Sequence, residues 1–261
     1  MLRTQRTAMP RNFEDSTLWK VSAFERMWAE TGNSGFARLG GSTSLSATLQ
    51  SELSGLRSGH HSSDAVEVVA ACMRRRESAL ILLRHNDLVW PLTLFPERDL
   101  YHLPRPIVES LESGNLDLQV IAVEAPGLQA PHHLGLPGAP ARPNFRPLAP
   151  LLWALALHAP AARLLPHIAG RAAYRLVAGY TPASSALKGA MVPAVQRLGH
   201  EIASLDQIAH WPGMDRERAV RLLNALYFNG GLRVLRSHAA ARNDAGPAER
   251  FKGWWRTMRG S

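Results

Sequence analysis

The strongest constraint on the fold is a proline-rich stretch in the middle of the chain. Residues 126–150 hold seven prolines. Each proline removes a backbone hydrogen-bond donor, so this density predicts that the stretch forms no regular helix or strand. Strand-like patterns precede it and helical patterns follow it. The sequence therefore predicts a linker or an extended strap over 126–150, between two regions of different composition.

The region before the linker, residues 63–125, has the pattern of a small α+β domain. Val66, Val69, Ala70 and Met73 repeat at three and four residues, which predicts a helix that begins near Asp64. The runs SALILLR and LVWPLTLF are rich in β-forming residues and are separated by a polar turn, which predicts a β-hairpin. The run LDLQVIAV predicts a further strand. Together they predict an antiparallel sheet.

The sequence of residues 1–62 predicts an N-terminal arm that is either mobile or docked on another surface. Phe24, Met27 and Trp28 fall at helical spacing, so a short amphipathic helix is expected there. The residues that follow are rich in Gly and Ser, which is typical of a loop, with a second helix expected near 43–54.

The second half of the chain is expected to be mostly helical. Ala and Leu dominate the runs at about 149–158 and 161–178, which predict helices. A further helix is expected from about Ser184 to His200. It is followed by a short helix capped by Ser204, a tight turn, and a longer helix capped by Asp215. Glycines end this longer helix, and a basic strand, LRVLRSH, comes next.

This order of elements resembles the winged-helix form of the helix-turn-helix. The resemblance rests on residues 184–238, about a fifth of the chain, and includes small and apolar residues where the two helices cross. It implies a mostly helical, winged-helix-like domain over 151–246. Winged helices bind DNA and also serve as protein-docking and dimerisation modules, so the resemblance leaves both functions open.

The leading expectation is a non-enzymatic regulatory protein that binds duplex DNA. At helical spacing Ala219, Leu222, Leu223 and Leu226 share the core face of the longer helix, and the opposite face is polar. Arginine and asparagine can contact base edges, and strand arginines can contact phosphates. The expected nucleic-acid-binding residues are Arg216, Arg218, Arg221, Asn224, Arg233 and Arg236.

The alternative expectation is a protein-interaction adaptor that recruits partners through the sheet edge, the proline-rich stretch and an aromatic tail. Residues 247–261 form that tail, a basic helix or extension in which apolar side chains recur at three and four residues. A homodimer is also left open. The expected partner-binding residues are Phe228, Phe251, Trp254, Trp255 and Met258.

Net charge alone does not decide between these partners. The formal charge is +9, and only three of the 30 basic residues are lysines, a bias typical of an arginine-rich, bacterial-like composition. Distribution is more informative, because residues 211–261 carry ten basic and four acidic residues. The question becomes whether one helix and one strand near the C-terminus contact anions.

No motif predicts an enzyme, a cofactor or a metal site. Ser185 and Lys188 match the S-x-x-K spacing without a companion K-T-G, and there is no phosphate loop and no H-E-x-x-H. The pairs His60-His61 and His132-His133 are expected to be solvated loop residues. Cys72 is the single cysteine, which excludes an intramolecular disulfide, and it is expected to be a buried hydrophobe.

Membrane insertion is not expected either. The longest apolar stretch, residues 148–160, is broken by Pro150, His158 and Pro160. It falls short of the roughly 20 residues that a spanning helix needs. The N-terminus lacks the pattern of a secretory signal. The sequence therefore predicts a soluble, cytoplasmic protein with no integral membrane association.

Overall fold

The chain is α+β, with helices and antiparallel sheet in both of its compact units, which confirms the predicted fold class. The N-terminal unit comprises Met1–Ser110 and Leu116–Leu148, and the C-terminal unit comprises Leu111–Asn115 and Ala149–Ser261. The computed structural model describes residues 18–32, 44–57, 65–85, 87–112, 118–131, 144–158, 163–182 and 187–242.

The N-terminal unit is built on one antiparallel sheet. The central hairpin pairs β2 with β3, with Leu83 opposite Trp90, and it confirms the predicted hairpin. The sheet order is β5-β2-β3-β4-β6, and β1 pairs with the start of β3. The strands are β1 (Trp19–Lys20), β2 (Ala79–His85), β3 (Leu88–Phe95), β4 (Leu100–His102), β5 (Gln119–Glu124) and β6 (Phe145–Pro147).

Helices cover this sheet because each buries an apolar stripe. In α1 (Val21–Thr31) the buried Phe24 packs with Leu80, Leu82 and Val89, so this part of the predicted arm is docked on the sheet. The presence of α1 confirms the helix that the spacing of apolar residues predicts. α3 (Ala65–Arg75) is buried along most of its length and packs beside β5. The remaining helices are α2 (Ala47–Arg57), which contacts α3, and the short α4 (Val108–Glu112).

The proline-rich stretch contains regular structure, so the prediction that its prolines exclude it is wrong for residues 145–150. Pro147 lies on the outer strand β6, opposite Leu100, where a missing donor costs no ladder bond. Pro150 lies in the first turn of α5 (Leu148–His158), where backbone N–H groups have no helical acceptor. The Leu148 N–H instead donates to the Asp99 carbonyl at 2.8 Å. Residues 132–143 lie outside the described residues.

The C-terminal unit combines helices with a three-stranded antiparallel sheet of order β8-β7-β9. The helix predicted over 161–178 is wrong, because residues 173–176 form the central strand of this sheet. Tyr174 pairs with both outer strands, and this pairing overrides the helical propensity of the Ala- and Leu-rich sequence. The elements after α5 are β7 (Ala173–Leu176), α6 (Met191–His200), β8 (Ala203–Ser204), α7 (Leu205–Ala209), α8 (Arg216–Phe228), β9 (Leu232–Leu235) and a 3-10 helix (Ala239–Arg242).

Local signals fix the helix ends of this unit. Ser204 and Gln207 form a reciprocal capping box on α7, and the Asp215 carboxylate accepts from the Arg218 N–H at 2.7 Å, as predicted. Gly213 closes the intervening turn with φ +74°, and a side chain there would collide with the Ala190 methyl group. α6 begins at Met191, later than predicted.

The buried His102 gives the N-terminal unit a pH-dependent stability. Its ring is 6% exposed and lies 4.8 Å from the Phe145 ring, and burial, aided by Arg146, lowers the pKa of His102 to about 4. The unfolded chain then binds the proton more readily, so stability is complete above about pH 6.5 and falls towards pH 4. We expect the unfolding free energy to drop by about 3 kcal/mol over this interval.

Urea unfolding at a series of pH values measures this effect. His102→Gln removes the titrating group and should flatten the curve, and His200→Gln, at an exposed position of the C-terminal unit, is the control. A His102→Gln curve as steep as that of the wild type would contradict the assignment.

Candidate protein-docking site

The helix arginines of the C-terminal unit are neutralised by carboxylates. Residues 187–242 contain four acidic side chains, and each one binds an arginine on or beside a helix. In three of the four pairs the arginine and the acid lie only three or four residues apart in the sequence. The pairs are Arg197–Glu201 at 2.8 Å, Arg216–Asp206 at 2.7 Å, Arg218–Asp215 at 3.5 Å and Arg221–Glu217 at 2.8 Å.

Asn224 does not lie on an exposed face of α8, so the expectation that it can contact bases is wrong. The residue is 4% exposed. Its Oδ1 accepts from the Leu165 N–H at 3.1 Å, and its Nδ2 donates to the Arg163 carbonyl at 2.8 Å. Both ends of the amide are therefore used to hold the segment before β7 against α8.

The guanidinium group of Arg221 also makes its hydrogen bonds within the unit. Its Nη1 donates to the Leu157 carbonyl of α5 at 2.8 Å, and its Nε and Nη2 donate to Glu217. Beyond its first turn α8 is buried on nearly every side, and the predicted core residues Ala219, Leu222, Leu223 and Leu226 are all fully buried. The polar face predicted for this helix is therefore confined to its first turn.

The predicted partner-binding residue Phe228 is buried as well, at 5% exposure, so the prediction of an exposed aromatic ring is wrong. It lies at the last turn of α8, where the chain reverses through Asn229 and Gly230. The other residues predicted to bind a partner, Phe251, Trp254, Trp255 and Met258, lie outside the described residues.

Four predicted arginines remain exposed. Arg216 and Arg218 extend from the first turn of α8 within the ion pairs given above. Arg236 donates to the carbonyls of His167 and Ala169, at 2.8 and 3.1 Å. Arg233 lies on β9 directly opposite Arg175 of β7, a residue that the sequence analysis missed because it assigned 161–178 to a helix.

An apolar groove lies along α6. Its volume is about 390 Å³, and it runs between α6 and the segment that leaves β7. Tyr180 lines the groove, and burial raises the pKa of its hydroxyl group. The Tyr180 ring packs against Gly231, where any side chain would collide with the ring. The lining residues are Leu176, Tyr180, Thr181, Pro182, Leu187, Val192, Val195, Gln196, Gly199 and His200.

One large exposed hydrophobic side chain lies in this groove. Among the described residues, the large hydrophobic side chains that stand out as exposed are Val177, at 39%, and Val192, at 40%. Val192 lines the groove and Val177 follows its lining residue Leu176. No acidic residue lines it, although the exposed Lys188 adjoins Leu187 and the Arg197–Glu201 ion pair adjoins His200. The groove is therefore an apolar surface bordered by an exposed lysine and an ion pair.

The N-terminal unit offers a less suitable surface. A cavity of about 230 Å³ lies between α2 and β5. Strand β5 lies at one edge of the described sheet, where it pairs with β2 alone. The register of β5 slips between Leu82 and Leu83, which leaves Ile121 as a bulge. A bulge twists an outer strand away from a straight ladder and so opposes the addition of another strand.

The described residues contain little that could perform chemistry. Burial raises the pKa of Cys72 to about 12, so its thiol stays protonated and unreactive. No group of three or more metal-ligating side chains occurs within the described ranges. Ser185 and both histidine pairs of the sequence lie outside those ranges. The absence of enzymatic activity stays a prediction.

Comparison with protein-family models, with curated proteins and with solved structures finds no match for this chain. No helix in the part of the chain that the structure describes is long and apolar enough to cross a membrane.

The buried amide of Asn224 yields a stability prediction. Asn224→Ala leaves the Leu165 N–H and the Arg163 carbonyl without their partners, so the unfolding free energy should fall by about 2 kcal/mol. Arg216→Ala breaks an exposed ion pair and should change it by less than about 1 kcal/mol. Denaturant unfolding compares the two variants, and equal small effects would contradict the structural role given to Asn224.

Proposed function

We propose that this chain is a non-enzymatic protein-interaction adaptor whose C-terminal unit docks a segment of a partner protein in the α6 groove. The partner segment is apolar and carries acidic residues beside its apolar anchors. The succession α6, β8, α7, α8 and β9 supports the resemblance of this unit to a winged helix, used here for protein docking. The observation that carries the proposal is the 40% exposure of Val192 in the lining of the groove.

The burial of α8 favours docking over the reading of DNA by this helix. A recognition helix must present several side chains to base edges, and α8 exposes only its first turn, where the arginines are paired with acids. Asn224 and Arg221 would have to give up buried hydrogen bonds to reach a base. Such a rearrangement would expose the polar groups of the segments that they hold.

The groove matches a protein segment in size and chemistry. Its lining is mostly aliphatic and aromatic, which is how protein-docking grooves bury anchor side chains. Lys188 and the excess of arginine over acid in this unit favour a partner with negative charge. The polar Gln196 and His200 supply hydrogen-bonding groups at the edge of the apolar surface.

A random-peptide display selection on the intact chain tests this proposal. We expect enrichment of peptides that combine apolar residues with Asp or Glu. Val192→Glu should weaken the binding of a selected peptide about tenfold or more, equivalent to about 1.4 kcal/mol, by placing a carboxylate among the apolar contacts. The substitution lies in the first turn of α6, where an acid is favourable, so the fold should persist.

Pro212→Glu is the matched control, since it adds the same charge at an exposed turn residue that does not line the groove. Fluorescence anisotropy with the selected peptide compares the three proteins, and a 20-base-pair duplex is measured beside it. Peptide binding that ignores Val192→Glu would overturn the proposal. So would an absence of enriched peptides together with tight, salt-sensitive binding of the duplex.

A further inference from the structure

Two arginines face each other on the outer surface of the C-terminal sheet. In the antiparallel pairing of β7 with β9, Arg175 lies directly opposite Arg233. Both residues are exposed. Residues directly opposite in an antiparallel pair project to the same face, with side chains that start about 5 Å apart. Their neighbours Tyr174 and Val234 project to the other face, so the two guanidinium groups share one open surface.

This pairing is unfavourable in the isolated chain, because like charges directly opposite each other destabilise a sheet. No described carboxylate of the C-terminal unit pairs with Arg175 or Arg233. Those of residues 187–242 bind other arginines, and Glu112 acts on His158 of α5, where it opposes the lowering of the pKa of that histidine. The two opposed guanidinium groups of Arg175 and Arg233 thus have no described carboxylate as a partner.

A third arginine adds to the positive potential at the end of β9. The guanidinium group of Arg236 is held by the carbonyls of His167 and Ala169, in the segment that leads into β7. These acceptors are neutral, so they fix the position of the charge without cancelling it. Arg175 and Arg233 therefore form a positively charged pair that no described acid offsets, and Arg236 adds a third charge one residue beyond the end of β9.

We propose that Arg175 and Arg233 bind a phosphate group. A phosphate between them accepts hydrogen bonds from both guanidinium groups, and these charge-assisted bonds replace the repulsion of the empty pair with attraction. The phosphate is either a free ion or part of a nucleic-acid backbone, since both present the same oxygens. The site does not depend on the α6 groove, because Arg175 and the groove residue Leu176 project to opposite faces of β7.

Thermal unfolding in phosphate and in chloride at equal ionic strength tests this site. The wild type should be stabilised by phosphate relative to chloride. Arg175→Gln and Arg233→Gln should each raise the melting temperature in chloride by about 1–3 °C, since each removes the repulsion. Both variants should also lose the stabilisation by phosphate. Replacement of an arginine with only a structural role would not both raise the melting temperature in chloride and remove the stabilisation by phosphate.

Arg216→Gln is the matched control, as it removes one exposed arginine charge from the same unit and should keep the phosphate response. Val192→Glu should keep it too, so failure of the docking proposal is distinguishable from failure of this one. Equal stabilisation of the wild type and both sheet variants by phosphate would overturn the site, as would equal effects of phosphate and chloride.

Anisotropy with a labelled 20-base-pair duplex at two salt concentrations identifies the source of the phosphate. If the nucleic-acid backbone occupies the site, Arg175→Gln should weaken duplex binding and reduce the salt slope by about 1. If a free ion occupies it, phosphate should stabilise the wild type with no binding of the duplex. Duplex binding that is unchanged in both sheet variants would exclude the nucleic-acid backbone as the source of the phosphate.

Discussion

The pairing of β7 between β8 and β9 is the constraint on which the C-terminal unit depends. This strand precedes α6 in the chain, yet it forms the centre of a sheet whose outer strands follow α6 and α8. Its Tyr174 is fully buried and donates to the Ile168 carbonyl at 2.6 Å. Once β7 is in place, Leu176 lies beside α6 and Arg175 lies opposite Arg233.

Alternation along this one strand separates two surfaces of different chemistry. Leu176 projects to the α6 side and lines an apolar groove, whereas the exposed Arg175 projects to the opposite face and has no described carboxylate partner. Under the two proposals above, an apolar partner segment and a phosphate group bind without competing for the same residues, as the proposed adaptor role requires.

The features that could be predicted from the sequence are those fixed by nearby residues. Hydrophobic spacing located α1 through Phe24, and Ser204 and Asp215 marked helix starts that the structure confirms. The β2–β3 hairpin was readable because its strands adjoin. Each of these signals lies within a few residues of its effect, so no knowledge of the tertiary structure was needed.

The errors arose where distant segments decide the outcome. Asn224 looks exposed on a helical wheel, but its partners Leu165 and Arg163 lie about 60 residues earlier and cover that side of α8. The composition of 161–178 favoured a helix, and only the pairing of Tyr174 with two later strands makes it β. Arg175 and the α6 groove were missed for the same reason, since both require β7 to be recognised first.

The central claim is that this unit binds partners through α6 and the end of β7, with α8 serving as its interior. Backbone amide NMR of the intact chain, titrated with a selected acidic apolar peptide, tests it residue by residue. We expect shifts in residues 176–181 and in α6, with the amides of α8 beyond its first turn unchanged. Shifts concentrated along α8, with α6 unaffected, would contradict it.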